Sequence, residues 1–257
     1  MTIDFHDASN RHTYATREAS DSWSVAMTAL LDPMGMHVVD IGCGGGIYST
    51  AWKKLGAAQV TGVDFSQQML ECARERTSHI SGLTFKQGEA SSTGLPAGAF
   101  DLVFERALIH HLDDYAGCFA EARRLMRDDG ILLVQDRTAE DVAQPASAEH
   151  LRGYFFEKFP HLRALEAQRR PDPNTVACAL RNAGLRLERV QSLWETRRRY
   201  DAFDAYAQEL AARTGRSILH ALSDDQLQEL ITYIRARVPA GALVERDRWT
   251  LWLARRA

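Results

Sequence analysis

Apolar residues along this chain fall into two alternating rhythms. Short apolar runs, "HVVDIG" (37–42), "QVTGVD" (59–64), "LTFKQGEA" (83–90), "FDLVFERALIHHL" (100–112) and "ILLVQDR" (131–137), read as five strands. Between them lie stretches with a helical period. "YSTAWKKLGA" stops near Gly56, and Ser66 caps "QQMLECARERTSH", with Met69, Leu70 and Ala73 on one face. "DDYAGCFAEARRLMRDDG" carries Phe119, Ala122, Leu125 and Met126 on one face and is expected to end at Gly130. Strands alternating with helices imply right-handed crossovers and a parallel sheet covered on both faces.

The pattern changes after residue 137. Residues 138–170 are polar and aromatic, and "AEHLRGYFFEKFPHLRAL" (148–165) reads as one helix with no strand behind it. The core rhythm resumes with a helix, "PNTVACALRNAGL", and a long strand, "RLERVQSLWETRRRY". Two more helical stretches, "FDAYAQELAART" and "DDQLQELITYIRAR", precede a last strand, "ALVERDRWTLWLARR". The expectation is an α/β fold with a seven-strand, mostly parallel sheet and helices on both faces. No repeat or low-complexity linker divides the chain, so one domain over 1–257 is expected, with its core at about 37–137, 171–199 and 241–257. The remaining segments, about 1–33, 138–170 and 200–240, are expected to form a helical lid, because open α/β sheets bind ligands at the carboxyl ends of their strands.

Composition narrows the partners. The 257 residues are 45% hydrophobic and 25% charged with a net charge of −3, as in an ordinary globular protein. That balance gives no reason to expect a nucleic-acid partner. The four cysteines, Cys43, Cys72, Cys118 and Cys178, have neither metal-type spacing nor the look of a disulfide framework, so no metal is expected. The N-terminus has no apolar stretch of signal-peptide length and no run approaches membrane-spanning length, so a cytoplasmic protein with no membrane partner is expected.

The chemistry concentrates in "VVDIGCGGGIYST" (38–50), where four glycines occupy five positions after an apolar run. Such a cluster serves a tight turn with positive φ, or a ligand lying against bare backbone. A dinucleotide fingerprint counted from Gly42 would need a small residue where Ile47 stands, and no Gly-Lys-Ser/Thr follows to make a phosphate loop. The other frame, Asp40 to Gly46, places an acid before the turn. An acid there repels a pyrophosphate and suits a ligand carrying an ammonium group.

Taken in order, these stretches resemble the class I S-adenosylmethionine (SAM)-dependent methyltransferases. "VVDIGCGGGIYS" is similar to that family's first motif and "VTGVDFSQQML" to its second. "FKQGEASSTGLPAGAFDLVFERALIHHL" is similar to its third and fourth, and "EARRLMRDDGILLVQD" to the helix and strand that follow. The resemblance is strong over about 37–137 and looser beyond. It implies a Rossmann-like fold, SAM as cofactor with S-adenosylhomocysteine as product, and methyl transfer to an O, N or C nucleophile by in-line displacement.

The resemblance also implies roles for individual residues. The backbone of Gly42 to Gly46, Gly44 included, would lie against the methionine part, with Asp40 near its ammonium group and Arg106 near its carboxylate. Asp64 would take the ribose hydroxyls, Phe65 and Met69 would flank the adenine, and Glu89 with the Ala90 amide would meet the adenine edge. Tyr14 and Arg17, in the N-terminal arm, are the residues expected to close over the pocket. A general base is needed only for a protonated acceptor, and in the His110-His111 pair His111 is favoured. The acceptor is expected to be a small molecule, since a tRNA or protein substrate would bring a basic surface or a further domain. The arginines and aromatics of "GYFFEKFPHL" and "TRRRY" would suit a flat or anionic one, but core packing and a solvated strand end explain them equally. A macromolecular acceptor, or SAM binding without transfer, are the alternatives.

Overall fold

The structure, a computed structural model, describes residues 18–257. Seven strands form one sheet: β1 His37–Ile41, β2 Gln59–Asp64, β3 Leu83–Gln87, β4 Phe100–Arg106, β5 Met126–Asp136, β6 Leu185–Tyr200 and β7 Leu243–Arg256. Their order is β3-β2-β1-β4-β5-β7-β6. The first five pair in parallel, and β7 runs antiparallel to β5, so the sheet is mostly parallel as expected. The chain's contacts gather into two compact units. One, the sheet unit, takes in residues 18–136, 171–193 and 250–257; the second takes in Arg137–Arg170 and Trp194–Trp249.

In the sheet unit, period-two alternation sends neighbouring residues of each strand to opposite faces. Val39, Ile41 and Val103 pack with Phe119 of helix α4 (Tyr115–Leu125) and with Val176 and Leu180 of α8 (Pro173–Asn182). On the opposite face, Phe104 meets Trp52 of α2 (Ile47–Lys54) and Trp23 of α1 (Asp21–Leu30), with ring centroids 5.3 and 6.0 Å away. Helix α1 falls in the segment 1–33 expected to be helical, for which the pattern gave no bounds. Ser20 caps it by accepting from the Trp23 amide, and Trp23 and Met27 are its two fully buried residues. Helix α3 (Gln67–Thr77) begins at the expected Ser66 cap.

Two expected boundaries move. The helix thought to run to Gly130 ends at Leu125, and Met126 is already extended, paired with Phe100 of β4. Gly130 lies inside β5, where a Cβ would press on the Arg127 carbonyl at 3.0 Å. This glycine makes an irregularity in a strand, and does not end a helix. In the second unit, the single helix expected over 148–165 is two: α6 Gly153–Lys158 and α7 His161–Ala167. Pro160 separates them, because a residue before proline is pushed out of helical geometry, and Phe159 has φ −128° and ψ 80°. The same unit holds α5 (Ala139–Val142), and α6 and α7 with α9 (Phe203–Ala211) and α10 (Asp224–Arg235) enclose a core of Phe155, Tyr206, Leu219, Leu230 and Ile234.

Candidate cofactor site

Glycine is required at the turn after β1. Gly42, Gly44 and Gly46 have φ of +73°, +52° and +75°, a region that side chains disfavour. The amides of Gly42 and Cys43 both donate to the Val63 carbonyl, at 2.8 and 3.0 Å, tying the turn to β2. A Cβ on Gly42 would meet Leu108 Cδ1 at 2.9 Å, and one on Gly44 would meet Met69 Cε at 3.3 Å. The turn therefore presents bare backbone at the carboxyl edge of the sheet, with the Met69 side chain against it. Gly46 ends the turn as the left-handed cap of α2. Cys43 contributes volume and no nucleophile: burial, with Asp40 and Asp64 nearby, pushes its thiol well above the ordinary range.

Asp40 and Arg106 lie on the face of the sheet covered by α2. The Asp40 carboxylate is 2% exposed and accepts from Ser49 Oγ at 2.6 Å. Burial pushes it up to about 7; the Ser49 hydroxyl opposes that, Asp64 adds to it, and Arg106 draws it back. The Arg106 guanidinium lies 3.9 Å from the centroid of the Tyr48 ring. Tyr48 is in turn held by Trp23, ring to ring at 5.0 Å, and Trp23 Nε1 donates to Gln135 Oε1 at 2.9 Å. A helix whose bounds the pattern did not give thus fixes the platform on which the expected arginine rests.

Asp64 ends β2, buried to 7% exposure. Its Oδ2 accepts from the Gly44 amide at 2.8 Å and its Oδ1 from Ser66 at 2.9 Å. Burial raises this carboxyl and those backbone donors hold it back. Each oxygen keeps a further acceptor site, so the acid locks the glycine turn to α3 and still offers lone pairs. Phe65, next along, is 48% exposed although aromatic, the kind of surface a planar ligand covers. Glu89 is exposed and forms an isolated bridge with Ser92, while Ala90 packs against the sheet-unit core. Tyr14 and Arg17 lie outside the described residues.

After β4 the chain makes a short 3-10 turn, Ile109–His111. Asp136, fully buried at the end of β5, accepts from His110 Nδ1 at 2.9 and 3.0 Å and from its backbone amide at 3.2 Å. Facing a carboxylate, Nδ1 carries a proton and donates it to the hydrogen bond. His111 is exposed, and its ring centroid lies 4.0 Å from that of His110. Sequence spacing held no sign of the Asp136 partner, 26 residues away. Glu105, one residue before Arg106 on the opposite face, accepts from Cys118 Sγ at 3.4 Å. Its Oε2 is buried with no hydrogen-bond partner, and burial, with Asp136 adding to it, pushes the carboxyl up to about 7. Among the described residues, no group of three His, Cys, Asp or Glu is arranged to hold a metal ion, and no helix is long and apolar enough to cross a membrane.

Known proteins share this chain's sequence pattern and fold. Residues 39–134 match the family model described as "Methyltransferase domain". The ubiquinone biosynthesis O-methyltransferase of Xanthomonas axonopodis pv. citri is 30% identical over 183 residues, covering 67% of this chain and 74% of that protein. In eight of the curated relatives this chain matches, the aligned part spans from 36% to 74% of their length. The YcgJ protein of Bacillus subtilis superposes with a TM-score of 0.58 at 17% identity, covering 92% of this chain and 98% of that one. A Haemonchus contortus phosphoethanolamine N-methyltransferase solved with S-adenosyl-L-methionine superposes with a TM-score of 0.59 at 17% identity, covering 99% and 60%. The two structures bear on the fold; the sequence match bears on kinship. With its glycine turn, strand order and this relative, the chain belongs to the class I SAM-dependent methyltransferases.

Proposed function

We propose that this enzyme transfers a methyl group from SAM to an O, N or C nucleophile of a small molecule, releasing S-adenosylhomocysteine. The observation that carries the reading is the glycine turn with an acid and an arginine on one face beside it. A bare backbone cradle flanked by Asp40 and Arg106 fits a zwitterionic amino-acid end: the acid faces its ammonium, the guanidinium its carboxylate. Asp64 would accept from the ribose hydroxyls, and Phe65 with Met69 would flank the adenine, whose edge would meet Glu89 and the Ala90 amide. When bound, the cofactor supplies an already activated methyl group on sulfonium sulfur. The protein's share is then to hold an acceptor in line, an orientation effect worth about 7–11 kcal/mol of barrier in favourable cases.

A small-molecule acceptor is supported by the relative described above, an O-methyltransferase of ubiquinone biosynthesis. Where the acceptor must lose a proton, His111 is the proposed base: it is exposed, and its ring lies tilted against a His110 ring that Asp136 holds in place. Two measurements test the reading. Asp64→Ala should weaken S-adenosylhomocysteine binding by about tenfold or more, because charge-assisted hydrogen bonds contribute about 1.5–3 kcal/mol each before water compensates. An unchanged dissociation constant would remove Asp64 from the site. In a metabolite screen read by S-adenosylhomocysteine formation, His111→Gln should lower turnover by about 10²–10⁴ with cofactor affinity kept. A glutamine variant as active as the parent from pH 6 to 9 would dismiss the base.

A further inference from the structure

One face of α4 is turned toward the loop that follows β3. Gly117, Glu121 and Arg124 stand four and three residues apart, so they form a row along the helix. Each meets a different residue of the loop. A Cβ on Gly117 would stand 3.1 Å from Ser91 Cβ, so the glycine lets helix and loop close up there. Glu121 Oε1 accepts from the Thr93 amide at 2.9 Å and from Thr93 Oγ1 at 2.5 Å. Arg124 Nη2 donates to the Leu95 carbonyl at 2.8 Å, and from β3 Lys86 Nζ donates to the Gly94 carbonyl.

The same loop carries Glu89 and the Ala90 amide. Its turn closes on itself: the Glu89 amide donates to the Ser92 carbonyl at 3.3 Å and the Ser92 amide to the Glu89 carbonyl at 3.0 Å. At its near end the Gly88 amide donates to the Asp64 carbonyl at 3.1 Å, which ties the loop to β2. At its far end Thr93, 1% exposed, is bolted to α4. The two ends touch, since a Cβ on Gly88 would meet the Thr93 carbonyl oxygen at 2.9 Å. Glu121 is an acid well suited to the bolt. It is itself buried, and Arg124 donates to its Oε2 through Nε at 2.7 Å and to its Oε1 through Nη2 at 2.8 Å. Arg124 first, and then the Thr93 donors, hold this carboxyl down to about 2 against its burial. An ionised acceptor makes the stronger kind of hydrogen bond to the Thr93 amide and hydroxyl.

We propose that Glu121 is a positioning residue for the cofactor's base: through Thr93 it sets the place of Glu89 and the Ala90 amide, and with it the selectivity for an amino purine over an oxo purine. The inference rests on the reading that Glu89 and Ala90 meet the adenine edge. Adenine offers an amino donor to a carboxylate and a ring-nitrogen acceptor to an amide. Hypoxanthine shows an oxygen and a ring N–H in the same two places, so acceptor would face acceptor and donor would face donor. Rejecting it requires both protein groups to be held still, because a turn free to shift admits water between the mismatched atoms.

Calorimetric titration of the whole protein with S-adenosylhomocysteine and with S-inosylhomocysteine, its analogue with an oxo group for the adenine amino group, tests the proposal. The parent should prefer the adenine compound by about tenfold or more. Glu121→Ala releases Thr93 and should bring the two dissociation constants within about threefold of each other. Glu121→Gln keeps a carbonyl oxygen for Thr93 while losing the charge toward Arg124, so it should melt lower yet keep most of the preference. Thr93→Val removes one of the two bonds to Glu121 and leaves Arg124 paired; this milder change should lower the preference part of the way. The ratio of the two constants carries the test, because a loss of folded protein weakens both compounds alike. A folded Glu121→Ala or a Thr93→Val variant that discriminates as the parent does would overturn the proposal and leave the cofactor reading standing. A parent that binds both compounds equally, or neither, would overturn it together with the adenine reading.

Discussion

Two groups of buried acids behave in opposite ways. In the sheet unit Asp40 and Glu105 are both pushed up to about 7, chiefly by burial, while Glu121, held by Arg124, is drawn down to about 2. In the second unit the acids are surrounded by guanidiniums. Despite burial, Arg152, Arg170 and Arg137 hold Glu166 down to about 2, and Asp247 and Glu245 lie below their usual range for the same reason. Burial is common to both; the partners decide the sign. A lone buried carboxyl is poised to change charge near neutral pH, whereas one clamped among arginines is a fixed charge. The first kind suits a site that meets a cation, and the second suits a scaffold that holds arginines in place.

The contrast breaks most sharply if an acid is neutralised in each unit. Glu245→Gln leaves Arg216, whose side chain is 0% exposed, beside a neutral amide. Removing one partner of a buried pair costs about 3–5 kcal/mol, so the chemical-denaturation midpoint should fall steeply. A loss below about 1 kcal/mol would mean that Arg216 is adequately held by Glu209 and Tyr200.

The same substitution at Glu105 should act through pH. Its carboxyl is protonated in the fold up to about 7 but ionises from 4.5 in the unfolded chain. Between those values the folded state binds more protons, so this group's contribution to stability falls as pH rises through the window and is level above it. At about 1.36 kcal/mol per pH unit the full span is about 3 kcal/mol, an upper bound. Glu105→Gln should therefore flatten the decline of stability between pH 5 and 7, leaving the part due to Asp40. An unaltered slope would show that Glu105 is already ionised in the fold.

Much of the sheet unit was legible because its signals are local. Glycines that need positive φ leave no alternative residue, and an acid ending β2 sits a fixed distance from the turn it serves. The rest depends on partners remote in sequence. Helix α1 was given no bounds because, of its apolar residues, only Trp23 and Met27 are buried, and Trp23 finds its hydrogen bond 112 residues away. The sequence favoured His111 for its place in a motif, but the Asp136 partner that orients the neighbouring His110 comes from another strand. Gly130 imitates a helix stop, since a glycine after a helical run reads the same whether it ends a helix or kinks a strand. In "TRRRY" the pattern left core and solvent open; Arg197 turns inward to Glu245 and Asp247, while Arg198 is half exposed.

The central claim is that the glycine turn and Asp40 receive the amino-acid end of SAM. Calorimetric titration of S-adenosylhomocysteine from pH 8 to pH 5.5 tests it most directly. Asp40 is pushed up to about 7, so below that pH the protein must shed a proton before its carboxylate can meet the ligand's ammonium. The account predicts a level dissociation constant above pH 7 and a weakening that approaches about tenfold per pH unit below it. Proton release should appear as a heat that depends on the buffer, and Asp40→Asn should abolish the pH dependence. An affinity that stays level down to pH 5.5, or no binding at any pH, would contradict the account.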